Sequence, residues 1–186
     1  MFTELAVREN LAARVARALD AAEVHNVLWG WLALSLIHND RGFPEVEFVI
    51  PDNKIQLATD KLVAAGLPLC SHPNCEELLG DRADKFRYPT GDTLNWAALG
   101  AHDRYHPVGK AHFHLESLPG PPPVDDVDLM LSNDPSLPAR IDGSPRFGTG
   151  PSGPWSEFYP VKILSPDSYT ESIRWLQCRM PKTTSV

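Results

Sequence analysis

Apolar residues recur at helical spacing from the start of the chain. Leu5, Leu11, Ala12, Val15, Ala16 and Leu19 fall on one stripe with charges opposite, which predicts an amphipathic helix over residues 5–22. Residues 26–29 form a connection or short strand. Over 30–38 the apolar positions run nearly all round, so a second, buried helix is expected, opened by Gly30. Asn39-Asp40-Arg41-Gly42 has the composition of a turn. The period then changes to two. Over 45–50, Val46, Phe48 and Ile50 point one way while Glu45 and Glu47 point the other, as alternation on a strand requires. Asp52 or Asn53 is placed to cap a third helix through residue 65, and Gly66 to end it in a left-handed conformation. Residues 67–70 suit a short strand.

The pattern weakens beyond Cys75. Residues 76–80 suit a helical turn and 93–99 a strand. Alternation returns over 111–115, with His112 and His114 on one face and Phe113 on the other. Pro119, Gly120 and three consecutive prolines make 118–124 a loop or polyproline segment. A strand over 127–131 follows. Residues 132–154, rich in proline and glycine, predict a long irregular excursion, a surface loop or a partly disordered one. Residues 158–164 read as a strand, and Pro166 opens a last helix to Arg179, since proline is tolerated in a helix's first turn. There is no internal repeat. Helices and strands in this order give an α+β (mixed α/β) class, one domain over 1–186 with a mixed sheet flanked by helices.

Composition narrows the partners. The chain has 186 residues, 42% of them hydrophobic, enough for a core. The net charge of -7 and the absence of a Lys/Arg run argue against a nucleic-acid partner, which needs clustered cations to displace counterions. The longest apolar run, 27–37, is interrupted by Gly30 and Ser35 and falls short of the roughly 20 residues that span a bilayer. Glu4, Arg8, Glu9 and Arg14 break any apolar leader. Cys70, Cys75 and Cys178 cannot all pair within one chain. The expectation is a soluble, cytoplasmic, reduced protein without a membrane partner.

The carboxylates carry the first candidate chemistry. Phosphoryl and nucleotidyl transfer need cations to neutralise charge that develops on phosphates. Mg²⁺ takes oxygen ligands, often a few carboxylates together with water and substrate oxygens. Glu45 and Glu47 can supply two, and Asp126 or Asp128, from a neighbouring strand, a third. The plain alternative is a solvated face on a half-exposed strand.

Trp29-Gly30-Trp31-Leu32-Ala33, a dozen residues, and then an acid-x-acid strand ending Phe48-Val49-Ile50-Pro51-Asp52 resemble the nucleotidyltransferase fold. The similarity is greatest to small-molecule and antibiotic nucleotidyltransferases and to a group of uncharacterised fungal proteins related to them. The stretches 128–135 and 150–164 also resemble those fungal proteins. The motif itself covers residues 28–52. The resemblance implies a nucleotidyltransferase-like mixed sheet and a small-molecule substrate, with a nucleoside triphosphate as a further substrate. It also implies Mg²⁺ or Mn²⁺ on Glu45 and Glu47, with Asp128 completing the catalytic set. Gly30 and Trp31 would face the phosphates, with Lys162 a late basic residue able to reach them as a point charge. The chain departs from the pattern at Trp31, where active members carry a small residue. It departs again at both acids, which are Glu instead of Asp and so displace the carboxylates by more than about 1 Å. These departures point to the alternative, a nucleotidyltransferase fold that has lost transfer chemistry and binds a small molecule or serves as an accessory biosynthetic enzyme.

A second candidate is the histidine group. His112-x-His114 on a strand directs both imidazoles to one face, a start for a Zn²⁺, Fe²⁺ or Mn²⁺ site with His106 or Glu116 as a third ligand; His102 lies nearby. A solvent-facing strand explains the pattern equally well. Residues 109–116 resemble part of a cupin motif, but the glutamate sits too close behind the second histidine. His72 near Cys75 lacks an orienting third group, and the Cys70–Cys75 spacing is not C-x-x-C, so two structural thiols in a turn is the simpler reading. Trp29, Trp31, Trp96, Trp155 and Trp175 offer a stacking surface for a flat ligand, with Trp29 and Trp175 better placed for the core. A third reading makes 132–154 the contact loop of a non-catalytic interaction module.

Overall fold

Alternation and helical stripes pack into a mixed α+β arrangement. The computed structural model describes residues 4–38, 46–67, 94–100, 104–111, 122, 126–139 and 151–179, with 94–100 and 104–111 described by their backbone. Four α-helices are described: α1 (Glu4–Ala21), α2 (Gly30–Ile37), α3 (Ile55–Ala64) and α4 (Pro166–Arg179). Six strands are described: β1 (Val27–Trp29), β2 (Val46–Pro51), β3 (Leu94–Gly100), β4 (Arg104–Ala111), β5 (Leu129–Leu131) and β6 (Lys162–Leu164). They form one sheet in the order β4-β3-β2-β1-β6-β5. Only β1 and β6 run parallel; every other neighbouring pair is antiparallel.

Five of the six residues of the predicted stripe of α1 are buried, and so are Arg8 and Glu9, although the charges were expected opposite. Leu11, Ala12, Val15, Ala16 and Leu19 all join the core, where they remove apolar surface from water at about 25 cal/mol per Å². β2 is central, and Val46, Phe48, Val49 and Ile50 are all buried on it, leaving Glu47 partly exposed. In α2, Leu32, Ala33, Ser35 and Leu36 are buried while Trp31 stays exposed.

Several boundaries differ from those expected, for local reasons. A 3₁₀ turn, Asp52–Lys54, precedes α3, and the residue that begins the helix, Lys54, makes no side-chain cap bond. The tighter turn takes over part of what a capping carboxylate would do for the first amides. Gly66, with φ +81°, ends α3 in the left-handed conformation as expected. β6 is shorter than 158–164 because Pro160 offers no N–H for a ladder. Instead Ser132 N–H donates to the Val161 carbonyl (2.8 Å) and Val161 N–H to Ser132 Oγ (2.9 Å).

β4 carries no alternation and was not anticipated. It lies at the edge of the sheet, where Pro107 costs no interior ladder bond. The strand expected over 111–115 reaches the described residues only at Ala111. The described flanks of the irregular segment are packed, not excursive. Ser152 N–H donates to the Ser35 carbonyl near the end of α2 (2.8 Å), and Trp155 N–H to the Ser132 carbonyl (2.8 Å). Ser132, Leu137, Ser152 and Trp155 are all buried. Among the described residues no helix is long and apolar enough to cross a membrane.

Candidate functional site

β1 passes directly into α2 through Gly30, and β2 lies antiparallel to β1 with Glu47 opposite Trp29. The sharp entry needs φ +71° at Gly30, a conformation that costs an L-residue about 1–2 kcal/mol. A second constraint acts at the same atom. A Cβ on Gly30 would fall on the carboxylate of Glu47, 2.9 Å from its Cδ and closer still to Oε2. The sequence thus joins a helix-opening glycine to an acid seventeen positions later, and the reason is steric as well as conformational. A carboxylate at a helix start also meets the partial positive charge of the first amides, worth about 0.3–1 kcal/mol.

Tyr169, in the first turns of α4, completes this end of the sheet. Its ring stacks on Trp29 with centroids 4.9 Å apart and planes at 23°. Its hydroxyl donates to the Gly30 carbonyl (3.1 Å). Burial, and then the negative charge of Glu47, push its phenol well above the usual range, so it stays a donor at any ordinary pH. Sequence reasoning missed Tyr169; an aromatic one turn into a polar helix gave no signal beyond an amphipathic position.

Asp128 and Asp126 are placed elsewhere. They precede β5, and β1 and β6 stand between β5 and β2. Three inter-strand steps make roughly 14 Å, too far for one cation to bridge Glu47 and Asp128. The expected neighbouring strand is therefore corrected. The actual cross-strand partners of Glu47 are Trp29 and Ala98, so neither adjacent strand brings an acid to its row. Asp128 accepts from Ser168 Oγ (2.7 Å), and Asp126 Oδ1 accepts from the amides of Asp128 and Leu129 (2.9 Å each). Together these bonds tie the turn before β5 to the start of α4.

Lys162 is likewise committed, at the other end of β1. It is 2% exposed, and its Nζ donates to Asp20 Oδ1 on α1 (3.0 Å). Asn26 Nδ2 donates to the same oxygen (2.7 Å) and the Tyr159 hydroxyl to Asp20 Oδ2 (2.8 Å). Burial first, and then Asp20, push the Tyr159 phenol up to about 12. The parallel pairing Leu28–Ile163 puts Lys162 level with Val27, away from Gly30. A lysine on a strand beside a helix-borne aspartate is drawn to that charge, and the expectation that it reaches phosphates at the Gly30 end is corrected accordingly.

Of the residues expected to act, the structure brings Gly30 and Glu47 together, with Trp31 next in the chain. Glu45, His102, His112, His114, Glu116, Cys70, His72 and Cys75 lie outside the described residues, and His106 is described by its backbone alone. Among the described residues no three of His, Cys, Asp and Glu gather as a metal-holding group. Trp155 is in the core and Trp29 stacks on Tyr169. No family model, no curated protein and no solved structure matches the chain.

Proposed function

We propose that the Gly30–Glu47 end of the sheet is a divalent-cation-dependent nucleoside-triphosphate site of nucleotidyltransferase-like kind, serving a small-molecule acceptor. The observation that carries this reading is the contact of the Glu47 carboxylate with the glycine that opens α2. A helix start suits phosphate oxygens through its first amides. An acid beside it suits Mg²⁺ or Mn²⁺, which would neutralise the phosphates held there. Glu45, the first acid of the acid-x-acid pattern in the sequence, would be the second ligand. Tyr169 holds the Gly30 carbonyl and so the turn itself. Asp128 and Lys162 have no part in this version of the site.

A second reading keeps the binding and drops the transfer. The flanking of Glu47 by Trp29 and Ala98 favours it, because transfer through two cations calls for acids converging from adjacent strands. The test is a thermal-shift titration with ATP, CTP, GTP and UTP, each with Mg²⁺, Mn²⁺ or EDTA. Ligands that bind only the folded chain raise its midpoint by mass action. A rise that needs both nucleotide and cation supports the site, and release of pyrophosphate with a panel of hydroxyl and amine acceptors then separates transfer from binding. No rise with any pair overturns the proposal.

A further inference from the structure

We draw no further inference here: the strongest candidate, the side-chain cluster of Asp20, Asn26, Tyr159 and Lys162 at the N-terminal end of β1, bonds within itself and nothing in the structure points to a ligand for it.

Discussion

β1 is three residues long, yet it has a carboxylate at each end, and the chain treats the two in opposite ways. At its N-terminal end Asp20 is surrounded by donors from three other segments: Lys162 from β6, Tyr159 from the loop before it, and Asn26 from the approach to β1. Both carboxylate oxygens are used, and the lysine is removed from water. At the C-terminal end Glu47 lies against the glycine that opens α2, and its charge acts on the phenol of Tyr169. Saturation makes Asp20 a structural element. Glu47 is placed by sterics instead, packed against backbone that only a glycine can supply. Charge alone would not have distinguished them; their surroundings do.

The largest effect should come from Asp20→Ala. It leaves the ammonium of Lys162 buried without its carboxylate, and breaking a buried pair from one side costs about 3–5 kcal/mol. Urea denaturation at neutral pH reads this directly. Asp20→Ala combined with Lys162→Met should recover most of the loss, because the stranded charge is gone while the aliphatic stem remains. A single-variant loss below about 1 kcal/mol would put the pair in the class of exposed salt bridges and erase the contrast between the two ends.

Gly30→Ala should come next, at about 1–2 kcal/mol from the left-handed backbone alone. The new methyl also pushes Glu47 aside. The obstacle is the far end of a flexible side chain, so this second part is expected to be modest. Comparing Gly30→Ala in the wild type and in a Glu47→Ala background isolates it. An equal cost in both backgrounds would mean that the carboxylate gains nothing from its seat at the start of α2.

Much of this arrangement could be read from the residues. The stripe of α1, the alternation of β2, Gly66 at the end of α3 and Pro166 at the start of α4 each have a local cause, and each element lies close to where that cause puts it. Gly30 and Glu47 were also legible as candidates, because a helix-opening glycine and an acid on the next strand are both local features. What could not be read was strand order. Asp128 looked adjacent to Glu47 only because nothing in the spacing reveals that β1 and β6 lie between their strands. Lys162 looked available because its partner is 142 residues away on another element. Tyr169 was silent for the same reason: both its stacking on Trp29 and its bond to Gly30 are contacts made only by the finished fold. β4, an edge strand with a proline in it, had no period to detect.

The smallest predicted effect sharpens the comparison from the Asp20 end, through His25. Partial burial first, then the positive charges of Lys162 and Lys54, lower its pKa below the ordinary 6.5. A histidine that is harder to protonate in the folded chain than in the unfolded one binds fewer protons when native, so stability must rise with pH across the interval between the two values. The contribution is complete above about pH 6.5, where the imidazole is neutral in both states, and it is lost as the pH falls through the lowered native value. Urea midpoints measured from pH 7 to pH 5 should therefore fall more steeply for the wild type than for His25→Gln. Matching slopes would show that neither partial burial nor the two lysines hold the imidazole of His25 below its ordinary value, and that the positive charge of Lys162 is not felt at this neighbour of the Asp20 cluster.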